Sequence, residues 1–338
     1  MISFSKWSFS NAYTLENIID KICDEPEVSI SDKLKITSSF INSNAGTQYS
    51  NIKNLNIVDK DIRYIYIKLT PEGLDSNSIP DMDILIYELD NDLKIIAFRG
   101  FTTANKILKY FFKNISWGSI LSQKPDINED LLYWMFKLII EKSTKDSLDE
   151  NNILYIHSLK RYRGSSKDQG NTLTGEGDRI SDILGTWAFL LDNDVKLLKT
   201  RIIYKSCIVP HSLIMQIQLT GTLKFDINSY SGEFVNLYDD ETKLIIASSI
   251  LITEFIMPLL INSYQNALND SSWCPPVKLD FIDRISRKII DRVSDEVIHL
   301  KQAIQQISVP VNAITENITE NDINDDINDD LDIDDIAE

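Results

Sequence analysis

The residues best suited to chemistry fall in three places. From His157 to Arg179 the chain reads HSLKRYRGSSKDQGNTLTGEGDR, with Lys160, Arg161, Arg163 and Lys167 inside eight residues, followed by Gly, Ser, Asn and Thr. Backbone N–H groups of a glycine-rich turn and a helix N-terminus bind phosphate. Ammonium and guanidinium groups add charge, and Tyr162 offers a stacking face for a base. These four basic residues are therefore the expected phosphate or nucleic-acid contacts. The spacing departs from a Walker loop, which needs two glycines with four residues between them and then Lys and Ser or Thr. Here five residues separate Gly164 from Gly170, and Asn171 follows. Glu176 and Asp178 stand where the next helix is expected to begin, and carboxylates there would repel a phosphate. The competing account is a surface loop with solvated charges.

The second place is IPDMDILIYELD, where Asp81 and Asp83 share one face of a strand start and Glu88 lies further along. An Asp-x-Asp at a strand is a way to hold Mg²⁺ for phosphoryl or nucleotidyl chemistry. The bland account is a turn rich in Asp. The third group gives less. His157, His211 and His299 lie far apart and show no ligand spacing, and Cys23, Cys207 and Cys274 form no Cys-x-x-Cys pair. No Gly-x-Ser-x-Gly elbow is present.

These residues need elements to position them. Residues 10–56 give weak, mixed signals. Ile62–Thr70, Met82–Leu89 and Leu93–Phe101 are apolar β-rich runs separated by turn residues, and they read as an antiparallel meander. Helices are expected over Thr102–Ile115, with Thr102 as N-cap, and over Asn128–Glu141. Asn152–Tyr162 reads as a strand, then the Gly/Ser loop, then a helix from about Gly177 to Leu191. VKLLKTRIIYKSCIV and SLIMQIQLTGTLKFDI read as one strand each. No internal repeat is visible. The apolar run Leu244–Ser263 reaches membrane-spanning length, but Glu254, its serines and Pro258 favour a buried core helix over a span.

The last helix, Leu279–Ile307, carries Ile282, Ile285, Ile289, Val293, Val297, Leu300, Ile304 and Ile307 at steps of three and four. Such a helix is longer than a compact domain needs, so it either crosses the whole molecule or meets a partner helix, and its far end (Leu300, Ile304, Ile307) is the expected partner contact. Pro310 then stops it. The fold class expected is α+β, with a mixed α/β arrangement as the alternative. The expected organisation is an α+β region over 1–150, a second over 151–276, the long helix over 277–309 and a disordered acidic tail over 310–338.

The 338-residue chain has a formal charge of −17, and residues 311–338 hold eight Asp and three Glu with no Lys or Arg. The tail thus supplies −11, and the body is only mildly acidic, so nucleic-acid binding by a broad basic surface is disfavoured. Ile318, Ile323, Ile327, Leu331, Ile333 and Ile336 punctuate the acid. Ile323, Ile327, Ile333 and Ile336 are expected to dock in a groove with a basic rim; a purely solubilising tail is the alternative. Sparse cysteines and an N-terminus without a secretory pattern point to the cytoplasm. Codon-like bias towards Ile, Asn, Lys and Asp points to an A+T-rich, bacterial source.

With two association devices and no catalytic constellation, the chain reads as a non-catalytic binding or scaffold subunit of a multi-protein assembly. Its expected partners are other protein subunits, a second copy of itself among them. Nucleic acid is the further option through the basic loop, and no membrane is expected. By analogy alone, bacterial nucleic-acid-handling and phage-defence systems contain such subunits. No cofactor is expected. The rival reading is a metal-dependent phosphodiester or nucleotidyl-transfer enzyme, in which Asp81, Asp83 and Glu88 hold Mg²⁺.

Overall fold

The computed structural model describes residues 1–41, 48–73, 79–112, 118–141, 153–168, 170–206, 209–237 and 239–307. In chain order the elements are β1 (Ile2–Phe9), α1 (Leu15–Asp24), β2 (Glu27–Ser31), β3 (Leu34–Phe40), β4 (Lys53–Ile57), β5 (Lys60–Glu72), β6 (Met82–Leu89), β7 (Asp92–Ala97), α2 (Phe101–Phe111), β8 (Ile120–Ser122) and α3 (Glu129–Ile140). They continue with β9 (Ile153–Ser166), β10 (Thr172–Glu176), α4 (Leu184–Asp192), β11 (Asn193–Lys205), β12 (His211–Gln218), β13 (Leu223–Ser231), α5 (Glu241–Ile250), α6 (Met257–Asn269) and α7 (Pro275–Ile307). A π-helical segment, Leu251–Ile256, joins α5 to α6. This is an α+β fold. Met1–Ile289 form a first compact unit, and the described residues from Ile290 to Ile307 fall outside it.

The first unit is built on one 13-stranded sheet of order β10-β9-β11-β12-β13-β1-β7-β6-β5-β3-β2, with β4 on β5 and β8 on β1. The pairings are antiparallel throughout the meander: Ile65 faces Ile86 between β5 and β6, and Ile86 faces Ile95 between β6 and β7. The order is symmetric about β1. One side runs β7-β6-β5 and ends in the hairpin β2–β3; the other runs β13-β12-β11 and ends in the hairpin β9–β10. β5 and β11 both have 13 residues, and β6 and β12 both have 8. The halves thus share an arrangement that their sequences do not repeat. β1 joins them by splitting its partners: Ile2–Phe4 pair with β13, and Ser5–Ser8 with β7.

Alternation along β6 explains why the strand is apolar throughout. Met82, Ile84 and Ile86 join one core with α1 and α2, while Leu85, Tyr87 and Leu89 join another with α3, α5 and α6. A strand buried on both faces reads as a continuous hydrophobic run.

The structure corrects several element boundaries. β1 to β4 all arise from the stretch with weak or no predicted order. SLIMQIQLTGTLKFDI is two strands, because Gly221 takes φ +79° in the turn between β12 and β13. α2 is capped by Gly100, and Thr102 lies inside it. α3 matches its prediction, with the Asn128 side chain accepting the Leu131 N–H at 2.7 Å. Leu244–Ser263 lies on α5, the π segment and α6. By length and composition the helix Glu241–Asn269 could cross a membrane, and 67% of its most apolar window is buried within the protein.

α7 is the longest element, at 33 residues, or about 50 Å at the standard rise. Its inner part, up to Ile289, is locked to the first unit. Asp130 on α3 accepts from Trp273 Nε1 (2.7 Å), Lys278 Nζ (2.8 Å) and Tyr264 OH (2.8 Å). The Lys278 ammonium lies 4.6 Å from the Tyr133 ring centroid, and Phe281 and Ile285 are buried. Burial pushes the Asp130 carboxyl up, but these three donors and the Lys278 charge more than offset it, so its pKa ends below the usual range.

Candidate functional site

The basic stretch is a β-hairpin rather than a loop. Lys160, Arg161 and Arg163 lie on β9, which pairs with β10 on one side and β11 on the other. The charges are largely matched within the hairpin and its neighbours. Lys160 pairs with Asp178 at 2.7 Å, and Arg161 lies 3.6 Å from Glu176. Lys167 donates to the Leu191 carbonyl at 3.2 Å, near the C-terminus of α4, where a cation is favourable. Arg163 is exposed.

The glycines serve packing. A Cβ on Gly175 would stand 2.4 Å from the Tyr162 ring, and one on Gly164 would stand 2.5 Å from the Phe189 ring. Two aromatic side chains lie flat on a strand pair because those positions have no side chain. Tyr162 is itself buried, with its ring centroid 4.4 Å from that of Phe189, so it offers no face to a base. The helix expected from Gly177 begins only at Leu184, after a short 3-10 turn.

The acidic triplet does not converge. Asp81 pairs with Lys68 at 2.9 Å, Asp83 accepts from Tyr66 OH at 3.2 Å, and Glu88 pairs with Arg63 at 3.0 Å. Asp83 and Glu88 are five positions apart on β6. They therefore point to opposite faces, roughly 16 Å apart along the strand. Glu88 cannot share an ion with the pair. Among the described residues, no group of three His, Cys, Asp or Glu could hold a metal.

Two clusters carry chemistry that sequence reasoning missed. In the first, the Glu254 carboxylate stands in the π segment, is 7% exposed and meets Lys6 on β1 at 2.7 Å and Lys94 on β7 at 2.9 Å. Tyr87 on β6 also donates to it. Lys94 stands directly opposite Tyr87 and beside Ser8 in the strand registers, so three adjacent strands converge on one carboxylate. The local helix geometry has a cause. Pro258 has no N–H for the Glu254 carbonyl, and the Met257 N–H reaches back five residues to Ile252. Thr253 Oγ1 donates to the Ser249 carbonyl at 2.9 Å, which keeps its hydroxyl satisfied in the core. Burial raises the Glu254 pKa, but Lys6, Tyr87 and Lys94 together hold it below the usual carboxylate value. Clefts of about 270 and 420 Å³ flank Lys6 and Gln123, one on the α6 side and one beside Asn11 and Lys94.

In the second cluster, His211 on β12 is fully buried. Its Nδ1 lies 2.8 Å from Tyr230 OH, and its Nε2 lies 3.6 Å from Glu233. Burial lowers its pKa, and the Glu233 charge only partly opposes that. The sign follows directly. Below about pH 6.5 the unfolded chain takes a proton at this position that the folded chain refuses, so stability falls as pH drops through that window. The expected slope is at most about 1.4 kcal/mol per pH unit for one proton. Urea unfolding between pH 7.5 and 5 checks it, and His211→Gln should flatten the curve in that window.

The association residues behave differently. Every residue from Ile290 to Gln305 on α7 is exposed. Ile290 is 63% exposed, Val293 47%, Val297 43% and Leu300 55%. Ile304 is also exposed, and Ile307 closes the helix. Ile323, Ile327, Ile333 and Ile336 lie outside the described residues, as does Cys207. No protein-family model matches the chain, and no curated protein is similar to it in sequence.

Proposed function

We propose that this chain is a binding or scaffold subunit of a multi-protein assembly, and that it joins the assembly through the outer half of α7. The observation behind the reading is the run of exposed apolar side chains from Ile290 to Leu300 on one regular helix. Single surface hydrophobics are ordinary, but a row of them at helical spacing marks an interaction surface. The inner half supports the same reading: Trp273, Phe281, Ile285 and the Asp130 hub fix the base of the helix.

The outer 16 described residues of α7 are all exposed, and most helical stability comes from tertiary packing, so without a partner this end is marginal in water. In the assembly its amides should therefore exchange slowly; in the dissociated chain they should exchange fast. Hydrogen–deuterium exchange of the purified chain at about 100 µM and after dilution below about 0.1 µM, a span chosen to bracket moderate affinities, reads this out. Peptides from 290–305 should lose protection on dilution while 277–289 keep theirs. Fast exchange at both concentrations assigns the protection to a different subunit, and the association reading then fails if deletion of 290–338 removes no co-purifying protein; slow exchange at both concentrations counts against it.

A further inference from the structure

We infer that the occupant of the outer half of α7 is a second copy of this chain, packed as a parallel two-stranded coiled coil over residues 290–307. The inference rests on the reading of that segment as the association surface.

The apolar stripe of α7 changes register at the boundary of the first unit. Up to there, Phe281, Ile285 and Ile289 face the first unit at steps of four. From Ile290 the steps become three and four in strict alternation: Ile290, Val293, Val297, Leu300, Ile304, Ile307. That is a heptad pattern with Ile290, Val297 and Ile304 at a and Val293, Leu300 and Ile307 at d. The adjacent pair Ile289–Ile290 hands the stripe from one packing duty to the other. A period of 3.5 is what a left-handed pair of helices requires, and a straight helix lying on a globular body has no need of it.

Residue choice within the pattern selects the occupant. All three a positions are β-branched, and the central d position is Leu, the combination that favours two parallel strands. Charge then selects a copy of the same sequence. Glu296 falls at g and Lys301 at the next e, the separation of five that faces g to e across a parallel pair. In two identical chains this contact forms twice, Glu296 of each chain to Lys301 of the other, on each side of the seam. The other e and g positions over 294–303 are Ser294 and Ala303, which set no charge against it. Self-complementarity of this kind is what a two-fold interface demands. The seam spans only two and a half heptads. The docked inner half supplies a preformed helix, which removes the nucleation cost that short coiled coils otherwise meet. Ile298 falls at b, outside the seam, and the pairing does not explain it.

Charge reversal tests the pairing in the full chain at about 0.15 M salt, where only close pairs count. Sedimentation should give twice the chain mass at tens of micromolar. Glu296→Lys alone and Lys301→Glu alone should each raise the dissociation constant about tenfold, since two attractive contacts become repulsive. Mixing the two variants should restore affinity. In the mixed dimer the ammonium introduced at position 296 of one chain faces the carboxylate introduced at position 301 of the other, and the native Glu296 and Lys301 that remain face each other across the opposite side. Restoration supports the parallel homodimer. A wild type of single-chain mass at 100 µM, a trimer, or no recovery on mixing overturns it. If the chain is monomeric but deletion of 290–338 removes a different, stoichiometric protein subunit, this inference fails and the association reading stands. If that deletion removes nothing, both fail.

Discussion

Replacing Glu254 with Ala is expected to cost about 3 kcal/mol or more in folding stability, the range for removing one partner from a buried charge cluster. Lys6 and Lys94 would lose their shared counter-ion, and Tyr87 would lose its acceptor. The lysine side chains are 22% and 21% exposed, so water relieves part of the cost and the lower end of the range applies. Glu254→Gln should cost less than Ala, since it keeps an acceptor for Tyr87. Replacing all three charges together, Glu254→Leu with Lys6→Met and Lys94→Met, should recover much of the loss, because a packed apolar trio needs no counter-ion. The pH dependence has a defined sign. The folded carboxyl titrates below its unfolded value, so its contribution is full above about pH 4.5 and fades as pH falls through the lowered value. That window lies below the one assigned to His211. Urea unfolding of the variants checks the order Ala, Gln, triple replacement.

The central strand depends on this cluster. β1 holds each half of the sheet by only three or four residue pairs. Lys6 adds a side-chain tie from β1 to the helix layer, and Lys94 adds one from β7. Loss of Glu254 should therefore loosen β1 and β7 from the helix layer as well as lower the midpoint.

The parts legible in the sequence are those whose signal is local. The meander β5–β7 could be read because its strands are apolar and its turns polar. Asn128 announced α3, and the stripe from Ile282 onward announced α7. The basic hairpin resembles a loop in sequence because Gly164 and Gly175 look like loop residues; their reason is the Phe189 and Tyr162 rings that lie over them. β12 and β13 merged because Leu219 and Leu223 carry the apolar pattern almost across the turn. The partners of Glu254 could not be read. Lys94 and Tyr87 lie 160 and 167 positions away, and nothing local links them. The lone charge in an apolar helix was the signal: a buried carboxylate must find cations, and the chain's β strands supply them.

The second large effect is expected at the far end of α7. Leu300 and Ile304 occupy consecutive d and a layers in the proposed seam, the fourth and fifth of its six, where water is excluded. Leu300→Asp with Ile304→Asp would set four carboxylates into one two-fold interface, two per chain. Burying unpaired charge is too costly for so short a seam to withstand. The same two positions are exposed in the single chain, so the first unit should not notice the change. Sedimentation velocity of the full-length double variant beside the wild type, with urea midpoints measured on the same samples, is the most direct test. The account predicts a wild type of twice the chain mass, a variant of single-chain mass at 100 µM, and equal midpoints when both are diluted below the dissociation constant. A variant that keeps the wild-type mass, or one whose unfolding free energy as a monomer falls by several kcal/mol, would contradict it.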